Sequence, residues 1–452
     1  MNETSNSKAA EMKERVLNTC RVIAGKQVMK PHIQGEGPVC VFISGLLGTG
    51  EYSSFEHILP YWGLFQGDLL QRLEEDIGIE CHGASLGPLS SAWDRACELY
   101  AQLTGGRVDY GAAHSKAFGH ARFGRAYKPL FEGWSEERPA HLLGHSFGGV
   151  TIRLFAQLCA EGAPEEQDAT PEAELSPLFK GGLLGRLLSL TTLSTPHNGT
   201  TAIVGIQKGQ PLWPVAPAFA FLNIVGTLPV LNGIYDVHLE HFGLSNPAGQ
   251  YRGNTPSRKK LKTFLDSRDH ATADVSLDNA REINLATPVR PELYNFSYAC
   301  SLGAKELPHG KKLIPLKELK NPLLGFFAVQ MGMGTGYARR EMRQADRSED
   351  KISALVEYDP LWTASDGAVP VASGLCPFGQ PRKDFGEKPA PGVWHVMPVK
   401  EGVDHGYYCG WDVNNQDFEA LVRFYAGHIR LLQETCGTRN TLLKQADPVC
   451  IS

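Results

Sequence analysis

The chain has 452 residues, of which 42% are hydrophobic and 21% are charged. This composition is that of a globular protein and excludes disordered, collagen-like and coiled-coil classes. Its 44 basic residues are outnumbered by 49 acidic ones. Because phosphate backbones are bound through a basic field, this balance also excludes a nucleic-acid partner. The length allows up to about three domains, or one large α/β domain with insertions.

The first 35 residues predict a charged helical extension, with a helix from Ser7 to Ile23. Charged side chains recur along this segment, which lacks the apolar core of a signal peptide. Ten scattered cysteines without a CxxC pair favour a reducing compartment. We therefore expect a cytoplasmic protein or one peripheral to lipid surfaces, with secretion by an unrecognised route as the alternative.

Residues 36–436 predict one α/β domain, because apolar strands without alternation are separated by helical segments. From about 200 to 287 this order is interrupted by Pro- and Gly-rich apolar stretches, which indicate a cap insertion. Residues 437–452 are predicted to be a tail. The predicted strands are 39–44, 80–86, 141–146, 187–193 and 295–301, and the predicted helices are 67–77, 91–103, 150–159 and 417–436.

The longest uncharged stretch, Gly209 to Tyr235, has the length of a membrane-spanning helix. However, Pro211, Pro214, Pro217 and Pro229 lie within it, and each proline removes a helical hydrogen bond. We therefore predict that this stretch is an apolar segment broken by prolines and that it is not a transmembrane helix.

The strongest motif is Gly144-His145-Ser146-Phe147-Gly148, which matches G-x-S-x-G between a predicted strand and a predicted helix. In this context the motif predicts an α/β-hydrolase fold with Ser146 as nucleophile. Glycines two residues before and after the serine allow the strand and the helix to pass close together. The helix N-terminus then favours a developing anion.

A serine nucleophile needs a base and an acid that orients the base. In this fold they follow the serine in the order acid, then histidine. Asp366 and His405 lie in glycine-containing loops in that order and are the predicted acid and base. Asp359 and His395 are rivals for these roles, whereas Asp404 ranks low because it is next to His405 in sequence.

The oxyanion formed during attack needs two backbone N–H donors. In this fold one comes from the residue after the serine, which is Phe147. The other comes from the loop after the first strand, where Leu46 lies in a glycine-containing turn.

Five strings outside the serine motif carry a family resemblance. They are GPLSSAWDRACE at 87–98, VDYGAAH at 108–114, GHARFGR at 119–125, SPLF at 176–179 and TTLSTPHNGT at 191–200. With gaps, the likeness runs from Val39 to Tyr425, and it resembles the bacterial true lipases of the thermophilic Bacillus/Geobacillus and staphylococcal group. The resemblance implies that the stretch from Gly209 to Tyr235 is a lid over an acyl-binding site.

The same resemblance implies a structural zinc ion. Its ligands would be Asp94, His114, His120 and Asp269. Two histidines and two carboxylates complete a tetrahedral zinc site and leave no open position. The family also has a calcium site, but Tyr407 stands where one of its glutamates would be, and only Asp412 matches a second ligand. Calcium at Asp412 is therefore left open.

Together these patterns predict a serine-dependent carboxylic ester hydrolase that cleaves acyl esters of lipids, such as acylglycerols, at a lipid–water interface. Two alternative functions are compatible with the same residues. One is a catalytically silent lipid-binding or scaffold protein, and the other is an acyltransferase that uses the same triad.

Overall fold

The computed structural model describes residues 30, 32–203, 235–246, 257–303, 305–306, 312–313, 362, 364–386, 388–411 and 415–445. The predicted helix from Ser7 to Ile23 lies outside these residues, as do Asp359, Asp412 and all of the predicted lid except Tyr235. Among the described residues, no helix combines the length and the apolar character needed to cross a bilayer.

The strands in the described part of the chain are numbered in chain order. They are β1 (Val39–Ile43), β2 (Cys81–Ala84), β3 (Gly106–Asp109), β4 (Phe123–Tyr127), β5 (Ala140–His145), β6 (Leu187–Leu193), β7 (Tyr294–Tyr298), β8 (Cys300–Ser301), β9 (Lys305–Glu306), β10 (Lys312–Leu313), β11 (Arg382–Asp384), β12 (Trp394–Val396) and β13 (Lys400–Glu401).

The α-helices of the described residues connect these strands. They are α1 (Ser54–Ile58), α2 (Leu69–Ile77), α3 (Ala92–Thr104), α4 (Ala112–Phe118), α5 (Phe147–Glu161), α6 (Pro164–Ala169), α7 (Pro177–Lys180), α8 (Arg258–Ser267), α9 (Ala271–Asp274), α10 (Leu277–Ala286), α11 (Val371–Leu375) and α12 (Asn415–Gln445).

A central sheet has the strand order β2-β1-β5-β6-β7-β12-β11, and every neighbouring pair is parallel. The predicted mostly parallel sheet is confirmed. Since β2 and β5 lie on opposite sides of β1, the chain reverses its direction of travel across the sheet there. The loops that leave the carboxyl ends of β1 and β5 therefore diverge and form a crevice, which is where such sheets bind ligands.

Both faces of the sheet are covered. In β1, Val39, Val41 and Ile43 belong to a core that includes residues of α3 and α5. Cys40 and Phe42 alternate with them and belong to a second core that includes residues of α2 and α12. A strand buried on both faces needs apolar residues at every position, and this explains the unbroken apolar run in the sequence.

The structure differs from the predicted elements mainly at their ends. The predicted strand 295–301 is divided into β7 and β8, and α12 continues beyond 436 to Gln445. The sheet strands β11 and β12 were not predicted, because each has three residues and such a short run shows no periodicity.

Candidate active site

Ser146 lies at the turn between β5 and α5, as the motif predicts. Its backbone has φ 54° and ψ −125°, a positive φ that is strained for a residue with a side chain. The Ser146 N–H donates to the Leu193 carbonyl at 2.8 Å. A Cβ on Gly144 would lie 2.5 Å from the Gly148 carbonyl carbon, and a Cβ on Gly148 would lie 2.2 Å from the Ile43 oxygen. The close passage that requires these glycines is therefore present.

His405 and Asp366 are in direct contact. The Nδ1 atom of His405 lies 2.7 Å from Oδ2 of Asp366, and both side chains are buried. The other carboxylate oxygen of Asp366 accepts from the N–H groups of Ala368 at 2.9 Å and Val369 at 2.7 Å. Because the turn holds Asp366 in this way, its Oδ2 faces Nδ1 of His405 and accepts the Nδ1–H proton. Nε2 of His405 is then unprotonated and can accept a proton.

The rivals for acid and base lie elsewhere or have other partners. His395 is in β12, where its Nε2 contacts the carbonyl of Ala390 at 2.9 Å, and it does not line the cavity beside Ser146. Asp404 accepts the Gly406 N–H at 3.0 Å and thus belongs to the turn that carries His405.

Ser146 and His405 line one cleft of about 730 Å³, including its open mouth. Most of the other lining residues are apolar, among them Leu46, Leu47, Phe147, Ile203, Val275 and Val369. A few polar groups on an otherwise apolar wall are typical of a site that binds an apolar ligand at one reactive bond.

The two predicted oxyanion donors flank Ser146. Leu46 and Phe147 both line the cleft, and among the described residues neither backbone N–H donates to a protein acceptor. A Cβ on Gly45 would lie 2.7 Å from the Cβ of Ser146, so glycine is required where this loop approaches the serine. We call residues 44–48 the oxyanion loop.

Arg95 holds the oxyanion loop and was not singled out from the sequence. This fully buried side chain donates to the carbonyls of Ser44, of Gly45 at 3.4 Å and of Gly87 at 3.2 Å. Its guanidinium lies 5.2 Å from the centre of the Phe147 ring. Burial lowers the pKa of Arg95 to about 10, so the group remains a cation at neutral pH beside the turn that carries Ser146.

A chain of hydrogen bonds joins the oxyanion loop to His405. The Gly45 N–H donates to the Tyr61 hydroxyl at 2.9 Å, and this hydroxyl lies 2.7 Å from Nδ1 of His145. Nε2 of His145 lies 2.9 Å from the carbonyl of His405. Burial, with His405 nearby, places the pKa of His145 well below its usual value. The neutral ring thus accepts from Tyr61 and donates to His405.

The four predicted zinc ligands come together at one point. One ligand atom from each of Asp94, His114, His120 and Asp269 lies within 4.8 Å of the others. The Nε2 atoms of His114 and His120 lie 3.2 Å and 3.1 Å from Oδ2 of Asp269. In the described structure, the buried Oδ1 of Asp94 and Nε2 of His120 make no hydrogen bond. The donor set fits a metal ion, and so does the close approach of these two atoms to other ligand atoms without a hydrogen bond.

His241 adds a contact to this cluster that was not predicted. Its Nε2 lies 2.9 Å from Oδ2 of Asp94, and both side chains are fully buried. The Oδ1 atom of Asp94 is 3.4 Å from Nε2 of His114. His241 therefore holds one carboxylate oxygen while the other faces the cluster. This partner is 147 residues away along the chain, and no local spacing indicates it.

The parallel sheet, the strained serine turn and the His405–Asp366 contact define an α/β-hydrolase. Comparisons with known proteins agree. The sequence profile of the family described as "Lipase-like, C-terminal domain" matches residues 36–441. The chain belongs to this family, and the resemblance found in its sequence is confirmed.

Relatives and solved structures of this family are similar over most of the chain. Lipase 2 of Staphylococcus aureus (strain MSSA476) is 31% identical over 89% of the chain, but the match spans only 55% of that relative's length. The Staphylococcus hyicus lipase structure has a TM-score of 0.67 and 28% identity, covering 90% of this chain and 98% of that one. EstA from Clostridium botulinum has a TM-score of 0.64 and 29% identity, covering 91% and 97%.

Proposed function

We propose that the chain is a serine-dependent carboxylic ester hydrolase with Ser146 as nucleophile, His405 as base and Asp366 as orienting acid. The observation that carries this proposal is the 2.7 Å contact between His405 and Asp366 in a fold that exposes Ser146 and His405 to the same cleft. Membership of the lipase-like family supports it.

In the proposed reaction, His405 Nε2 takes the proton from Ser146 as its oxygen attacks the ester carbonyl. The N–H groups of Leu46 and Phe147 stabilise the oxyanion. Protonated His405 then gives its proton to the leaving alcohol, which departs and leaves an acyl-enzyme. Water activated by His405 cleaves this intermediate and restores Ser146.

Acyl esters of lipids, such as acylglycerols, are the proposed substrates. The apolar wall of the cleft suits an acyl chain, and several relatives are named lipases. Action at a lipid–water interface and a lid at 209–235 remain predictions. The described residues on either side of 204–234 support this prediction, because Ile203 lines the cleft and the Tyr235 hydroxyl donates to the Leu47 carbonyl at 2.9 Å.

A structural zinc ion is proposed at Asp94, His114, His120 and Asp269. When bound, the ion would offset the charge of two buried carboxylates, and it would take no part in ester cleavage because four protein ligands leave no open position. Its ligands lie on α3, in and after α4, and between α8 and α9, so the ion would join the cap to the core. We do not propose calcium at Asp412.

Replacement of Ser146 by alanine tests the proposal. We expect turnover of a p-nitrophenyl ester to fall by at least about 10⁴-fold, because the nucleophile is lost, with the melting temperature little changed. Ser194→Ala is a matched control, since Ser194 also follows a sheet strand with a positive φ of 49° but does not line the cleft. It should keep activity.

The two alternative functions give different results. A catalytically silent binding protein would not react with a fluorophosphonate probe at Ser146, whereas a hydrolase is labelled there and Ser146→Ala is not. An acyltransferase would be labelled, but it would transfer the acyl group to an added alcohol in preference to water. Unlabelled Ser146 in folded protein contradicts the proposed function.

A further inference from the structure

A second group of histidines and carboxylates lies at the β2 edge of the sheet. His82 is in β2, Glu51 follows β1, and His32 lies in the segment that precedes β1. One ligand atom from each of these three residues lies within 4.8 Å of the others. Neither the family resemblance nor the proposed reaction uses them.

Each imidazole directs one nitrogen at the same carboxylate. Nε2 of His32 lies 3.1 Å from Oε2 of Glu51, and Nδ1 of His82 lies 3.3 Å from the Glu51 carboxylate. In the described structure, Nε2 of His32 is buried and makes no hydrogen bond of acceptable geometry. Two nitrogens and one oxygen therefore converge, and Nε2 of His32 is close to Glu51 without the alignment of a hydrogen bond.

The second nitrogen of each imidazole faces a different carboxylate. Nδ1 of His32 lies 2.9 Å from Oε1 of Glu74, and Nε2 of His82 lies 2.8 Å from Oε1 of Glu80. In metal sites, a ligating histidine commonly donates its other ring N–H to a carboxylate, which fixes the tautomer and the ring orientation. Both histidines here have that arrangement.

The backbone of the sheet edge holds the carboxylates in place. The Gly83 N–H donates to Oε1 of Glu51 at 2.7 Å, and Oε2 lies 3.1 Å from Nε2 of His32 and 3.3 Å from Nδ1 of His82. The Cys81 N–H donates to Oε1 of Glu74 at 2.8 Å. Glu51 and Glu74 are buried at 1% and 4% exposure. A site built in this way is organised before any ligand binds.

The charges of this group favour a divalent cation. Glu51, Glu74 and Glu80 supply three negative charges, and Arg138 offsets one of them through its contact with Glu80. Two neutral imidazoles with one divalent ion would balance the rest.

We propose that His32, Glu51 and His82 bind a divalent transition-metal ion whose fourth position is taken by a water molecule, with zinc as the best fit to two imidazoles and one carboxylate. Glu74 and Glu80 orient the two imidazole ligands. The ion joins the segment before β1 to the edge strand β2, so its role is to hold that segment against the sheet. This site is separate from Asp94 and its partners and does not depend on the proposed catalysis.

Zinc titration of the full chain, after removal of bound metal with a chelator, tests this proposal. We expect His32→Gln to lose one equivalent of bound zinc relative to the wild type, because it removes a partly exposed ligand without opening the core. His114→Gln should retain that equivalent. The matched control is His395→Gln, which changes a buried histidine outside both clusters and should bind as much zinc as the wild type.

Cobalt provides a second measurement that does not depend on counting. Co²⁺ bound to nitrogen and oxygen ligands absorbs visible light, and a part of this absorption should disappear in His32→Gln and remain in His114→Gln. The same loss in His82→Gln would support the assignment if that variant folds. If His32→Gln binds as much zinc as the wild type, or if its cobalt spectrum is unchanged, the proposal is wrong and the group is a set of protonated ion pairs.

Discussion

The active-site corner, which we define as Ser146, His405, Asp366 and the oxyanion loop, is organised differently from the cluster of Asp94, His114, His120 and Asp269. In the corner, the serine and the oxyanion loop directly follow β5 and β1, and backbone hydrogen bonds hold Asp366. None of the four cluster ligands lies in the central sheet. The corner is therefore fixed by the sheet, whereas the cluster places two buried carboxylates together, and the proposed metal ion would balance their charge.

Helix α3 connects the two regions. Asp94 faces the cluster, and its neighbour Arg95 donates to the carbonyls of Ser44 and Gly45 in the oxyanion loop. Since adjacent helical residues point in different directions, one turn of helix contributes to both. Loss of the proposed metal would consequently reach the corner through the position of α3, or through the segment after Asp269, where Ala271 and Val275 line the cleft.

After Ser146→Ala, the largest effect is expected from Asp366→Asn. The asparagine oxygen can still accept from Ala368 and Val369, so the turn keeps its structure. Its amide would donate to Nδ1 of His405, and the proton would then sit on Nε2, where the base must accept. We expect kcat for a p-nitrophenyl ester to fall by about 10³–10⁴-fold with little change in melting temperature. A kcat within tenfold of the wild type would contradict the assignment of Asp366.

Much of the corner was predictable from sequence because its signals are local or ordered. The apolar runs of β1, β5 and β6 indicate buried strands, and the glycines around Ser146 reflect contacts that a Cβ would make impossible. Asp366 and His405 follow from chain order in this fold. The structure brings these two together as predicted, although neither is identifiable from its own neighbours in sequence.

The next-largest effect is expected from a change in the cluster of Asp94, His114, His120 and Asp269, and it should fall mainly on stability. His114→Gln removes one ligand of the proposed metal ion, and the negative charges of Asp94 and Asp269 are then poorly balanced. If free zinc is present at about one hundred times the Kd of the wild type, zinc binding adds about 2.7 kcal/mol to its free energy of unfolding. The variant should lose most of this contribution. Thermal unfolding with and without added zinc measures it, and the zinc-dependent rise in melting temperature should be smaller in the variant.

Activity distinguishes this variant from a change in the corner. At a temperature well below its unfolding transition, His114→Gln should keep most of its ester turnover, because none of the cluster ligands lines the cleft. If its turnover fell as far as that of Asp366→Asn while the melting temperature stayed unchanged, the cluster would be part of the catalytic site. The proposed division between a catalytic corner and a structural cluster would then be wrong.

Contacts between distant residues were beyond prediction where neither chain order nor the family resemblance indicates them. The G-x-S-x-G pattern leaves its second position open, so it does not indicate that His145 contacts both Tyr61 and His405. Similarly, His32, Glu51 and His82 meet only because β1 pairs with β2 in a register that places Val41 opposite His82. The zinc ligands were predicted from family resemblance, since their spacing alone favours solvated surface residues.

The smallest effect is expected from Tyr61→Phe, which interrupts the hydrogen bonds between the oxyanion loop and His405. Loss of the hydroxyl leaves the Gly45 N–H and Nδ1 of His145 without their partner, at a cost of about 1–3 kcal/mol in stability. Tyr425→Phe is the matched control, because its buried hydroxyl donates to the Tyr408 carbonyl at 2.7 Å away from the cleft. Both variants should lose stability, but only Tyr61→Phe should also lower kcat. We expect a decrease of about tenfold, because the Leu46 N–H in the oxyanion loop or the His405 base would be misplaced. Equal kcat values for the two variants would show that the oxyanion loop and His405 keep their positions without this chain of hydrogen bonds.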